Sequence, residues 1–108
     1  MGEIEKERSE VPEPSPVTLG GVRYEAVPWG KARGLGQNGG YIGAYDTAGR
    51  ELWLLKIYDV KYDGEREDDK QDVFISDISA DGESALRISD ERGGEYRVDL
   101  QRRAVTAL

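Results

Sequence analysis

The residue types best suited to chemistry gather in one stretch, Trp29-Gly30-Lys31-Ala32-Arg33-Gly34-Leu35-Gly36-Gln37-Asn38-Gly39-Gly40. Glycine-rich backbone can aim several amides at a single anion, forming a nest. Lys31 and Arg33 would add positive charge, and Trp29 would offer an aromatic face to a planar group. Gly34-x-Gly36-x-x-Gly39 also has the spacing of a dinucleotide fingerprint. That fingerprint works only between a strand and the start of a helix, where amides and helix dipole meet a pyrophosphate. Here a strand pattern follows the glycines, so the fingerprint fails its own context. A kinase-type glycine loop does lie between strands, but no other kinase motif accompanies it. What remains is a candidate anion or small-molecule site made of Trp29, Lys31, Arg33, Gly34, Gly36 and Gly39. It stands beside the plainer reading of a surface loop whose glycines permit tight turns.

A second concentration of chemistry is acidic. Asp63, Glu65, Glu67, Asp68, Asp69 and Asp72 crowd the stretch from Asp59 to Asp72, and such oxygen donors suit calcium. Read as an EF-hand loop from Asp59, the stretch places Asp63 and Gly64 at the right offsets. It fails at Lys61 in the third position and at Lys70 in the twelfth, where a bidentate glutamate belongs. A solvated loop is the better reading, and no metal site is assigned. Glu95 and Asp99 share the polar face of one strand with Arg97 between them, the pattern of an exposed sheet surface rather than of a general acid and base.

The chain has no cysteine and no histidine. A disulfide framework, a thiolate nucleophile and a Ser-His-Asp triad are therefore excluded, and a structural zinc nearly so. No cofactor is implied, and a non-catalytic role leads over an enzyme.

The elements that would position these residues follow a β-meander pattern. Val22, Tyr24 and Ala26 alternate with Arg23 and Glu25 after the Gly20-Gly21 turn. Tyr41 to Asp46 reads as a second strand, and Glu51 to Val60 as a third and most apolar one. In that third strand Leu52 and Leu54 point one way, while Trp53, Leu55 and Ile57 point the other. A strand apolar on both faces is expected to be central and covered on each side. If one face is left bare, Trp53, Leu55 and Ile57 would form an interaction surface for a protein partner or a second copy of the chain. Val73 to Ile78, a strand around Leu86 and Ile88, Tyr96 to Leu100, and a short strand over Ala104 to Ala107 complete the pattern. No segment carries helical periodicity. The expected fold is all-β: an antiparallel meander of about six to seven strands forming a small sheet, sandwich or open barrel.

One hairpin recurs. Ile42-x-Ala44-x-Asp46-x-x-Gly49-x-Glu51-Leu52-x-Leu54 matches Leu86-x-Ile88-x-Asp90-x-x-Gly93-x-Glu95-Tyr96-x-Val98 after 44 residues. In each, Asp is expected to accept bonds from nearby amides and Gly to supply the positive φ of the reversal. The run Ala44-Tyr45-Asp46-Thr47-Ala48-Gly49-Arg50-Glu51-Leu52-Trp53 resembles the blade repeat of quinoprotein-like β-propellers. The turn is one residue shorter, lacks the Thr before Gly, and has Arg97 where the second copy would place Trp. The resemblance implies propeller-blade-like hairpins, but a chain with room for roughly two blades cannot close a propeller's axial cofactor site alone. From Trp29 to Leu100 the chain also looks like short bacterial proteins of uncharacterised function, which implies no activity.

With 108 residues the chain supports one domain and one core. The tail 1–16, charged and then spaced by Pro12, Pro14 and Pro16, is expected to be disordered, with a single β domain over 17–108. A net charge of −7 disfavours binding to nucleic acid or an anionic membrane. Neither a secretory signal nor a membrane-length apolar run is present, so a cytoplasmic location is expected. Met1-Gly2 begins like a myristoylation site, but Lys6 stands where Ser or Thr is needed.

Overall fold

A computed structural model describes residues 11–62 and 71–108. The chain is all-β. Among the described residues, eight strands form two antiparallel four-stranded meanders, and neither closes into a barrel. The first sheet holds β1 (Val17–Leu19), β2 (Val22–Val27), β3 (Tyr41–Tyr45) and β4 (Glu51–Lys56) in sequence order. The second holds β5 (Ile75–Ala80), β6 (Ala85–Asp90), β7 (Glu95–Asp99) and β8 (Ala104–Ala107), also in order. The strand beyond the expected set is β1, three residues folded back on β2 across Gly20 and Gly21, both at positive φ.

One core joins the two sheets. Tyr24, Ile42 and Ala44 from the first meet Ile75, Ile78, Leu86, Ile88 and Val98 from the second. The pairing register explains which residues face inward. Tyr24 lies opposite Ala44 and Ala26 opposite Ile42, while Ala44 and Ile42 lie opposite Trp53 and Leu55. Directly opposed residues share a face, so these side chains line one apolar surface. Leu86 opposite Val98 and Val98 opposite Val105 do the same in the second sheet.

β4 departs from expectation. It is an edge strand of its sheet, not a central one. Its inward residues follow the two-faced pattern: Trp53 and Leu55 are half-buried against the core, and Ile57, just past the strand, is buried. The surface expected of Trp53, Leu55 and Ile57 is thus turned to the interior. Of the outward leucines, Leu54 is half-buried and Leu52 is the one left in solvent, 50% exposed.

The repeated Asp-x-x-Gly turns share one geometry. Asp46 Oδ1 accepts the amides of Ala48 and Arg50, and Gly49 has φ +84°. Asp90 Oδ1 accepts the amides of Arg92 and Gly94, and Gly93 has φ +89°. Their places in the sheets differ, however. The first turn joins the third and fourth strands of its meander, the second joins the second and third of the other.

Residues 11–16 run without strand or helix, with Val11, Pro12 and Pro14 half-buried. The remainder of the expected tail, 1–10, lies outside the described residues. No helix among the described residues is long and apolar enough to cross a membrane.

Candidate functional site

The glycine-rich stretch leaves β2 at Pro28, makes one 3-10 turn over Gly30–Arg33, and returns to β3. Its backbone is held from within. Gly30 and Lys31 donate to the carbonyl and side-chain oxygens of Asn38, Gly34 donates to Lys31, and Leu35 donates to Gly30. Amides engaged in this way cannot converge on an anion, so the nest geometry is largely spent on the loop itself.

The glycines serve three separate ends. Gly34 ends the 3-10 turn at φ +85°, which an L side chain would strain. Gly36 faces open space. At Gly39 a Cβ would overlap the Val73 carbonyl, so this position lets the loop pack directly on the backbone leading into β5.

The three larger candidate side chains turn to three different neighbours. Trp29, 50% exposed, sets its ring edge-on to Phe74 at 5.4 Å. Lys31 Nζ lies 4.0 Å from the centre of the Tyr62 ring. Arg33 Nη2 donates to both oxygens of Glu51, at 2.9 and 2.8 Å. That hydrogen bond raises the Arg33 guanidinium above its ordinary value and lowers the Glu51 carboxyl below its own. Tyr45 completes this outer face of the first sheet. Its hydroxyl donates to Glu51, its ring covers Gly43, and the Arg23 guanidinium lies 5.1 Å from its centre. Burial, then the Glu51 charge, raises the Tyr45 phenol.

Under the loop is a polar cluster that the sequence did not announce. Gln37 is buried; its Nε2 donates to the carbonyls of Gly39 and Tyr58, and its Oε1 accepts the Val60 amide. Asp72, also buried, accepts from Asn38 Nδ2 through one oxygen and from the Tyr62 hydroxyl at 2.6 Å through the other. These bonds satisfy backbone groups on the segment leaving β4 and clip it to the glycine-rich loop. Residue type gives no hint of this, because Gln37 and Asp72 sit in hydrophilic stretches that read as solvated.

Most of the acidic stretch proposed for calcium, residues 63–70, lies outside the described residues. Of its flanks, Asp59 pairs with Lys56 at 2.6 Å and Asp72 belongs to the cluster above. Among the described residues no group of three or more metal-ligating side chains gathers. Glu95 pairs with Arg87, and Asp99 accepts amides of the turn that follows it, so the two carboxylates are separately engaged. A cleft of about 150 Å³ separates the proline-rich segment from β2, lined by Pro12, Pro14, Pro16, Ala26 and Pro28 with Glu13 and Glu25. It is small against the roughly 300–1,000 Å³ of ordinary ligand pockets, and its charges are acidic. No protein-family model matches the chain, and no curated protein matches it significantly.

Proposed function

We propose that this chain is a non-catalytic protein-binding β-domain that presents the outer surface of β4 to a partner. The observation that carries this reading is the placement of β4: apolar on both faces, yet at the edge of its sheet with Leu52 half in solvent. Burying the exposed half of Leu52 contributes on the order of 1 kcal/mol to such a contact. The Arg33–Glu51 pair beside it supplies the polar rim that such contacts carry. Leu52 is also the extra residue of a β-bulge, since Ala44 lies opposite Trp53 while Tyr45 lies opposite Glu51. A bulge obstructs strand addition, so β4 offers its side chains rather than its backbone edge. The net charge of −7 supports a protein partner over nucleic acid, and the cysteine-free composition suits a reducing, cytoplasmic setting.

Photo-crosslinking tests this. A photoreactive residue at Leu52 should give a discrete adduct in extract of the native host, while the same residue at the exposed Ser79 should not. Identical adduct patterns from both positions, or none from Leu52, would overturn the assignment.

A further inference from the structure

Among the described residues the four sheet edges are not alike. β1 is three residues long, and β5 lies beside it and β2. β4 is bulged at Leu52 and carries Glu51 and Lys56 at its ends. β5 is bulged as well, because Ile75 lies opposite Asp90 and Asp77 opposite Ser89, leaving Ser76 over, and Asp77 adds a charge. Shortness, bulges and charge are the usual protections against unwanted strand addition. β8 is short, at four residues, but has neither a bulge nor a charged side chain. Ala104-Val105-Thr106-Ala107-Leu108 contains no charged side chain and no proline, pairs with β7 in unbroken register, and is exposed at every residue except Val105.

The direction of its backbone groups follows from the ladder. Leu108 donates its amide to the Glu95 carbonyl, so Leu108, Thr106 and Ala104 bond to β7. The N–H and C=O groups of Val105 and Ala107 therefore point away from the sheet. Inward and outward side chains alternate: Val105 lies opposite the core residue Val98, and Thr106 lies opposite the exposed Arg97.

We propose that β8 pairs antiparallel with β8 of a second copy, about a two-fold axis through Thr106, joining two second sheets into one eight-stranded sheet. The strand is self-complementary in this register. Val105 meets the partner's Ala107 on the inward side. Thr106 meets the partner's Thr106, and Ala104 meets the partner's Leu108, on the outward side. Val105 and Ala107 of each copy form the hydrogen-bonded pairs, so the backbone groups left over by β7 are satisfied. Cross-strand Thr–Thr pairs are favourable, and no like charges are opposed although each copy carries −7 overall. The surface lies on the other sheet from Leu52 and stands or falls independently of the partner-binding role assigned to β4.

The register sets the test. Thr106 and its copy form a non-hydrogen-bonded pair, with Cα atoms about 4.5 Å apart, within the roughly 4.4–6.8 Å that a disulfide spans. The chain has no native cysteine, so a Thr106→Cys variant carries one thiol. Mild oxidation should convert it to a disulfide dimer much faster than a Ser79→Cys control on the outer face of β5. Sedimentation of the unmodified protein should show a monomer–dimer equilibrium. Thr106→Lys should weaken it by about fivefold, and an equimolar mixture with Thr106→Glu should restore it as a heterodimer. Circular dichroism of each variant confirms that the exposed substitution leaves the fold intact. A protein that sediments as a monomer at high concentration, or a Thr106→Cys variant that oxidises no faster than the control, would overturn the proposal.

Discussion

Asp46 and Asp90 close the same turn, but replacing them should not cost the same. Asp90→Ala removes three accepted hydrogen bonds: from the amides of Arg92 at 2.7 Å and Gly94 at 3.0 Å, and from the Tyr96 hydroxyl at 2.8 Å. The two amides lie in a turn and can partly recover by bonding water, leaving a deficit of roughly 0.5–1 kcal/mol each. The Tyr96 hydroxyl has less recourse, since its ring stacks on Tyr58 at 5.2 Å and Asp90 is itself buried. Its orphaning should add about 1–2 kcal/mol, for a total near 3 kcal/mol. In a domain of this size that corresponds to a melting temperature lower by roughly 12 °C or more. Asp46→Ala loses the same two amide bonds, but its other oxygen holds only the exposed Arg50, so its cost should be clearly smaller. Urea denaturation of both variants, with Tyr96→Phe to complete a double-mutant cycle, measures the difference. The cycle should return a coupling of about 1–2 kcal/mol between Asp90 and Tyr96. Equal losses for the two aspartates, or no coupling, would refute the claim that burial of the shared acceptor sets the difference.

Within the glycine-rich loop, Gly39→Ala should destabilise by about 1–3 kcal/mol, because its methyl would be driven into the Val73 backbone. Gly36→Ala, in open space, should range from neutral to about 1 kcal/mol stabilising; thermal melts of the pair separate packing from permissive glycines. Alkaline unfolding should track two half-buried tyrosines. Burial raises both Tyr58 and Tyr96, and burial with the bond to Asp90 holds Tyr96 up to about 12. Because the folded state favours the neutral phenol, this contribution is complete below the unfolded value near 10 and is lost as pH rises from there toward 12. Tyrosinate absorbance from these two side chains should therefore appear together with loss of β-sheet dichroism; full ionisation near pH 10 with the fold intact would contradict it.

The strands were legible where alternation was clean. Val22, Tyr24 and Ala26 gave β2, Tyr96 and Val98 gave β7, and the last strand falls on Ala104–Ala107 as expected. The Asp-x-x-Gly turns were legible because two residue types with distinct roles stand at fixed spacing. What misled was β4, where apolarity on both faces suggested a central strand. Periodicity reports which faces are apolar and is silent on which strands lie beside them. The turn after β7 escaped notice because Arg103, not glycine, occupies its left-handed position at φ +54°. Its guanidinium rests 5.3 Å from the centre of the Trp53 ring, a contact between the two sheets that helps to offset the strain. At the glycine-rich loop, sequence spacing gathered cations and glycines into one site. The folded chain sends those cations to Glu51 and Tyr62, partners 18 or more residues away in sequence that no local pattern specifies.

Each sheet is built from one uninterrupted stretch of chain, and neither borrows a strand from the other. Every ladder is therefore a pairing of sequence neighbours, the arrangement that keeps loop-closure entropy low and lets hairpins form within microseconds. The shared core is different, because Ile42 and Leu86 are distant in sequence and neither sheet can bury its apolar face alone. The chain should accordingly fold as two locally wound halves whose mutual docking sets the barrier, faster than β proteins of similar length in which the strands of one sheet come from distant segments.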